Sequence, residues 1–104
     1  MIKVKQLRSA TSGRDIPNQF IITLYETGNK KWARKIFQSY DSIIAEKINM
    51  DNEKDYIMLD KNYWDYSRTT GKYRNQFLGE DIKTTRKKIK SGEYRLWDLN
   101  NTYN

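Results

Sequence analysis

Closely spaced lysines and arginines are the residues of this chain with the clearest capacity for chemistry. Lys83, Lys87 and Lys90, with Arg86 between them, recur at intervals that match the turns of a helix. At about 100° per residue, such spacing gathers cations on a stripe separate from Ile82 and its apolar neighbours. A cationic stripe can contact the phosphates or carboxylates of a partner. Lysines on the outer face of a small domain are also ordinary solubilising residues, so both interpretations stay open at this point.

A second group alternates aromatic rings with cations. Tyr66, Tyr73 and Phe77 are interleaved with Arg68 and Lys72. Stacking rings beside cations are typical of single-stranded nucleic-acid sites and of protein hot spots. The alternative is core packing, because a chain with few Leu and Val needs its rings for buried area. The predicted partner-binding residues of both groups are Tyr66, Arg68, Lys72, Tyr73, Arg74, Lys83, Arg86, Lys87 and Lys90.

Catalytic chemistry has little support in the residue types. Histidine and cysteine are both absent from the 104 residues. Ser-His-Asp, Cys-His and His-zinc sites are therefore excluded, together with disulfides. Asp81 stands two residues before Lys83, as in some metal-dependent nucleases, but no matching acid precedes it on a strand, and it suits a helix start better. We predict no catalytic residue, no metal and no cofactor.

The charge balance indicates the kind of partner. Lys and Arg number 20 against 13 Asp and Glu, which gives a net charge of +7. Such a surplus favours an anionic partner, either nucleic acid or an acidic protein surface. No apolar stretch approaches the roughly 20 residues that span a bilayer, and the first residues lack the apolar run of a secretory signal. We therefore expect a cytoplasmic protein without membrane contact.

The elements that position these residues change character along the chain. Period-two alternation predicts strands, joined by polar turns at 27–29 and 51–55, over residues 19–25, 31–40, 42–48 and 56–60. Consecutive strands with short turns predict an antiparallel meander, and residues 93–99 predict a last strand. Residues 1–16 are expected to form an irregular or short-helix lead-in with a turn before Pro17, and residues 100–104 a polar tail.

Helical spacing replaces the strand period after Lys61. A short helix is predicted from Thr69 or Thr70, either of which could cap it, to Gly79. A second is predicted over 80–90, with Gly92 just beyond. The predicted fold is one α+β domain: an antiparallel meander of four to five strands, packed on one face by the two C-terminal helices. The residues predicted to be buried are Phe20, Ile22, Ile44, Phe77, Ile82 and Ile89.

Several segments together resemble a family of small phage and mobile-element proteins of Gram-positive bacteria. The resemblance extends from about Pro17 to Leu99 and is carried mainly by FQSYDSIIA (37–45), YWDYS (63–67) and KYRNQFLGE (72–80). It brings no catalytic residues. It implies an accessory protein that inhibits a host nucleoprotein machine by stoichiometric binding in the host cytoplasm. A CRISPR effector is the first expected target, which would make the chain an anti-CRISPR protein, and a restriction or replication enzyme is the next.

The residues themselves leave a second function open. A small basic protein with this distribution of charge could also bind DNA or RNA directly and act as a regulator. The inhibitor needs its basic C-terminal half only within a complex with a host protein or protein–nucleic-acid target. The regulator needs the same region to face the phosphates of free nucleic acid.

Overall fold

In the computed structural model, the described residues are 1–25, 32–49 and 55–102. They form a six-stranded open sheet with helices packed against it. The strands are β1 (Ile2–Arg8), β2 (Asp15–Tyr25), β3 (Trp32–Ser39), β4 (Ser42–Ile48), β5 (Tyr56–Asp60) and β6 (Tyr94–Trp97). The helices are α1 (Arg68–Leu78), α2 (Ile82–Ser91) and α3 (Leu99–Thr102). The turn predicted at 27–29, and that at 51–55 except for Asp55, lie outside the described residues.

The sheet is mixed, with its strands in the same order as in the sequence. Strands β1 to β5 pair antiparallel, which confirms the predicted meander and extends it by one strand. Strand β6 pairs parallel to β5, because α1 and α2 carry the chain back to the starting end of β5. The prediction of an α+β fold is confirmed, whereas the wholly antiparallel sheet is corrected to a mixed one.

Both chain ends differ from their predictions. Residues 2–8 form strand β1, so the irregular or short-helix lead-in was wrong. The turn before Pro17 is confirmed at its centre, where the Ser9 amide donates to the Arg14 carbonyl at 2.8 Å and Gly13 adopts a φ of 72°. Near the other end, the last strand is confirmed but is shorter than the predicted 93–99, since β6 ends at Trp97. Helix α3 occupies Leu99, predicted to end that strand, and residues 100–102, predicted to be part of a polar tail.

The last helix completes the hydrogen bonding of the sheet. Asn100 of α3 accepts from the Ile43 amide at 2.8 Å and donates to the Ile43 carbonyl at 3.1 Å. Strand β5 pairs with β4 only from Ala45 onwards, so these Ile43 groups lie beyond its ladder. The side-chain amide of Asn100 thus makes the hydrogen bonds to the Ile43 backbone that a neighbouring strand would otherwise make.

The core lies between the sheet and the pair α1–α2. Phe37, Ala45 and Leu59 stand opposite one another on β3, β4 and β5, are fully buried, and form the centre of this layer. The Phe77 ring of α1 stacks on Phe37 with centroids 5.7 Å apart. Ile21 of β2 pairs in register with Phe37 and packs against the same cluster.

The predicted core is therefore only partly confirmed. Ile44 and Phe77 are buried, while Ile82 and Ile89 are half-buried at the helix layer. Phe20 and Ile22 are also half-buried, but strand alternation places them on the face opposite to Ile21. Strand β2 has apolar side chains on both faces, so its period does not specify which face the helices cover.

The helix ends follow from single side chains. The Ser67 hydroxyl caps α1 by accepting from the Thr70 amide at 3.1 Å, which corrects the predicted cap at Thr69 or Thr70. Asp81 caps α2 through the Thr84 amide at 2.9 Å. Gly79 and Gly92 end the two helices with positive φ, as predicted. Among the described residues, no helix is long and apolar enough to cross a membrane.

Candidate functional site

The predicted site residues fall into two structural groups. All nine belong to α1, α2 or the loop 61–67 that precedes them. Tyr66, Arg68, Lys72, Lys83, Arg86, Lys87 and Lys90 are exposed. Tyr73 is half-buried and packs against the core, and Arg74 is buried. The helix layer therefore separates cations that hold the fold from cations that face outward.

Arg74 belongs to the interior, with only 1% of its surface exposed. Its Nη1 donates to the Trp64 carbonyl at 2.6 Å and to Asp65 Oδ1 at 3.1 Å. Its Nη2 donates to Asn75 Oδ1 at 3.0 Å, and the guanidinium carbon lies 5.2 Å from the centre of the Trp64 ring. Arg74 thus fastens the loop 61–67 onto α1. Its predicted role as a contact residue is corrected, because its side chain is not accessible to a partner in this structure.

The loop has a second anchor at the end of β5. Asp60 is fully buried, and its Oδ2 accepts from the amides of Asn62 and Tyr63 at 3.0 and 2.9 Å. Its Oδ1 accepts from the Leu99 amide at 2.9 Å, which ties the start of α3 to the same point. Asp60 thereby fixes the start of the loop, and Arg74 fixes its end.

Asp65 links α1 to α2 because its carboxylate contacts one arginine of each helix. Its Oδ1 accepts from Arg74, and its Oδ2 lies 3.3 Å from Nη2 of Arg86 on α2. One carboxylate therefore balances two guanidinium groups, so a positive charge remains at this point. Arg86 itself is largely exposed, with 61% of its side chain accessible.

A shallow open groove of about 620 Å³ lies between the loop 61–67, α1 and the first residue of α2. Gly71 and buried Arg74 are part of its lining, with Tyr66, Arg68 and Lys72 beside them. Tyr66 is 47% exposed and makes an edge-to-face contact with Tyr63 at 5.4 Å between centroids. The groove thus joins one accessible ring to two accessible cations.

The α2 lysines continue the positive surface away from the groove. Ile82 lines the groove. At about 100° per residue, the next side chains around the circumference of the helix are, in order, Arg86, Lys90, Lys83 and Lys87. All four cations are exposed. The predicted stripe is therefore present as an uninterrupted arc that starts at the groove.

The acids of this region are engaged within the fold. The side chain of Glu80 is 9% exposed and accepts from Thr85 at 2.6 Å, Tyr94 at 2.7 Å and Lys88 at 2.8 Å. Burial would raise the pKa of Glu80, but hydrogen bonds from Lys88, Thr85 and Tyr94 outweigh it and lower the pKa below its ordinary value. Burial, followed by the hydrogen bond to Glu80, raises the pKa of Tyr94 to about 12. Because Glu80 accepts from Thr85 and Lys88 of α2 and from Tyr94 of β6, it ties α2 to β6.

The other two acids also have structural partners. The backbone hydrogen bond from Thr84 lowers the pKa of Asp81, which therefore stays ionised as the cap of α2. Glu93 lies 3.9 Å from Lys88. By contrast, Arg68, Lys72, Lys83, Lys87 and Lys90 make no ion pair within the described part of the chain. We call these five cations, with Tyr66 and Arg86, the basic surface.

Sequence reasoning missed the structural role of Arg74 and the cluster around Glu80. Thr70, Arg74 and Phe77 are buried at intervals of four and three residues, so the helical period itself places Arg74 on the inner side. The contact between Glu80 and Tyr94 joins different elements and leaves no such periodic signal. Within residues 1–25, 32–49 and 55–102, no three or more acidic side chains gather to form a metal site.

Comparison with known proteins gives one match. A family model described as a family of unknown function (DUF8033) matches residues 2–93, which include every strand and helix up to the turn before β6. No curated protein and no solved structure matches the chain.

Proposed function

Since the chain belongs to the family of unknown function DUF8033, we propose its function from its own residues: it is a non-catalytic binding protein whose basic surface docks on an anionic partner. The observation that carries this proposal is that the acids and the cations of the helix layer differ in their partners. Glu80, Asp81 and Glu93 are engaged with other groups of the fold, while five cations nearby have no ion pair among the described residues. The surplus is therefore directed outward.

The proposed partner is a host protein or protein–nucleic-acid complex with an anionic surface. The resemblance to small phage accessory proteins supports an inhibitor that acts by stoichiometric binding in the host cytoplasm. Among targets we place a CRISPR effector first and a restriction or replication enzyme second, because the nucleic acid that each of these machines holds is itself anionic. An inhibitor of this kind needs a stable surface of matching charge and shape and no reactive group.

Direct binding of DNA or RNA is the second candidate function. Its support is the groove, where the exposed Tyr66 ring lies with Arg68 and Lys72, a combination of a stacking platform and phosphate-binding groups. A regulator would bind free oligonucleotides, with an affinity that falls steeply as salt rises, because each phosphate contact releases counterions. An inhibitor would bind only the assembled target.

The test is a triple charge reversal, Lys83→Glu, Lys87→Glu and Lys90→Glu. Each change removes two units, so the net charge falls from +7 to +1. A matched control, Arg14→Glu, Lys61→Glu and Arg95→Glu, has the same net charge but alters exposed residues elsewhere. Partner capture from infected host lysate, with and without nuclease treatment, should fail for the first variant and persist for the control.

Equal capture by wild type and both variants would contradict the proposal. Equal loss in both variants would mean that total charge, rather than the basic surface, governs the interaction. Hydrolysis of DNA, RNA or nucleotides by the purified protein with Mg²⁺ or Mn²⁺, abolished by Asp60→Ala or Asp81→Ala, would replace binding with catalysis.

A further inference from the structure

Strand β1 presents an unpaired edge at one end of the sheet. Among the described residues it pairs with β2 alone, and it is seven residues long. The opposite edge, β6, has four residues. A long free edge offers a row of backbone donors and acceptors to an extended segment of another chain. The edge of β1 is therefore the part of the sheet best suited to accept a further strand.

The hydrogen-bond register identifies the outward-facing groups. The Tyr25 amide donates to the Met1 carbonyl at 2.9 Å, so Met1 and Tyr25 form a hydrogen-bonded pair. In an antiparallel ladder such pairs alternate with pairs that do not exchange bonds. Lys3 and Lys5 therefore direct their backbone groups towards β2. The N–H and C=O groups of Ile2, Val4 and Gln6 point outward from the sheet.

The side chains of β1 alternate in chemistry as well as in direction. Ile2 and Val4 are 63% and 61% exposed and share one face. Lys3 and Lys5 occupy the other face, where they are exposed and line an open groove of about 720 Å³. Arg8 and Lys35 line the same groove, and its acid, Asp15, lies 3.5 Å from Arg8. This side of β1 is consequently positive, while Ile2 and Val4 make most of its other side apolar, with Gln6 at the far end.

We propose that β1 docks an extended segment of a protein partner in which acidic and apolar residues alternate. Such a segment would pair its backbone with Ile2, Val4 and Gln6. Its carboxylates would face Lys3 and Lys5, and its apolar side chains would cover Ile2 and Val4. A second copy of this chain fits less well, because lysines on an edge strand would then face lysines.

The docking edge is independent of the basic surface, since it lies on a different element and uses backbone groups. The probe is a synthetic peptide of about eight residues, within the usual range of strand lengths, with alternating Glu and Val. Solution NMR of the full chain would follow amide shifts and hydrogen exchange. Binding should slow the exchange of the Ile2, Val4 and Gln6 amides and leave the Lys3 and Lys5 amides, already bonded to β2, nearly unchanged.

Two variants make the test specific. Val4→Pro removes an outward N–H without removing a β1–β2 hydrogen bond, a substitution that edge strands tolerate, and it should weaken peptide binding at least about tenfold. The double variant Lys3→Glu with Lys5→Glu should reverse the preference between peptides, so that a peptide of alternating Lys and Val binds instead of the Glu–Val peptide. The second variant keeps the proposal testable if Val4→Pro fails to fold.

Three results would overturn the proposal. The first is equal binding of the Glu–Val and Lys–Val peptides to wild type. The second is unchanged preference in the double reversal. The third is a dimer, detected by sedimentation, that Val4→Pro dissociates, since a second copy would then occupy the edge. The triple reversal on α2 should leave peptide binding intact, so this proposal can fail separately from the proposed function.

Discussion

Arg74 and Lys72 lie two residues apart on α1 and have opposite roles. Arg74 is enclosed by the loop 61–67, with hydrogen bonds to Trp64, Asp65 and Asn75. Lys72 is exposed, and its nearest described aromatic contact is the neighbouring Tyr73 ring, 5.5 Å from its Nζ. The difference shows that cations close together in the sequence do not all lie on the surface of the folded protein. Position on the helix decides which cations belong to the fold and which are available to a partner.

The largest expected effect comes from removing Arg74. Arg74→Ala should lower the free energy of unfolding by about 3 kcal/mol or more, because hydrogen bonds to a charged group are lost and a cavity remains. Lys72→Ala, the matched change on the exposed side, should alter it by no more than about 0.5 kcal/mol. Chemical denaturation measures both values. Similar losses in the two variants would remove the distinction between the two kinds of cation.

Glu80 provides the next test, because it holds Lys88 and Tyr94 inside the fold. Glu80→Gln should cost about 2 kcal/mol at neutral pH, since charge-assisted hydrogen bonds are replaced by weaker ones. Its lowered pKa means that its contribution is present above the unfolded-state value of about 4.3. That contribution is lost as the pH falls through the folded-state pKa. Stability measured from pH 2 to pH 7 should therefore fall more steeply in wild type than in the variant.

Tyr94 gives the corresponding prediction for the dependence of stability on alkaline pH. Its pKa is raised to about 12, so the contribution of its protonated hydroxyl is present below about pH 10 and is lost as the pH rises towards 12. Tyr94→Phe should be less stable than wild type at neutral pH by about 1 kcal/mol and should lose this part of the alkaline dependence. Parallel alkaline curves for the two proteins would contradict the raised pKa of Tyr94.

Arg86 tests the boundary between the two groups, since it is exposed yet lies 3.3 Å from Asp65. Arg86→Ala should cost about 0.2–1 kcal/mol, as is usual for exposed ion pairs. The loss should shrink when salt rises from about 0.15 to about 0.5 M, because exposed charges are screened. A loss as large as that of Arg74→Ala would place Arg86 among the structural cations.

The smallest effect on stability is expected for the triple reversal of Lys83, Lys87 and Lys90. Each exposed substitution should stay within about 0.5 kcal/mol, so the thermal transition should remain close to that of wild type. Circular dichroism on heating checks this directly. A large drop in the transition temperature would mean that these lysines support α2, and loss of partner capture would then no longer report on binding.

Much of the fold was predictable because its signals are local. Strands β3, β4 and β5 were predicted to within about a residue at their described ends, and Gly79 and Gly92 mark helix ends through their positive φ. Strand β1 has the same period-two signal in Ile2, Lys3, Val4 and Lys5, so its position was predictable from the sequence as well. The covered face of β2 could not be predicted, because that choice depends on pairing with Phe37 and on helices more than 40 residues later.

The candidate site was predictable in composition and not in arrangement. The positions of Lys83, Lys87 and Lys90 follow from helical spacing alone. The groove beside Tyr66 depends on how the loop 61–67 folds back over α1, which is determined by buried hydrogen bonds of Asp60 and Arg74. Such bonds join distant residues or opposite ends of a loop, and no single period in the sequence encodes them.

The parallel pairing of β5 with β6 has a consequence for the order in which the molecule assembles. The antiparallel pairs join strands that follow one another closely in the chain, whereas Ile57 and Tyr94 are separated in the chain by both α1 and α2. Closing a longer loop costs more entropy, so we expect β6 to join the sheet last. Leu99 and Asn100 arrive with it and supply the partners for Asp60 and Ile43. On this expectation, the Asp60 carboxylate gains its hydrogen bond from the Leu99 amide only in the last step of assembly.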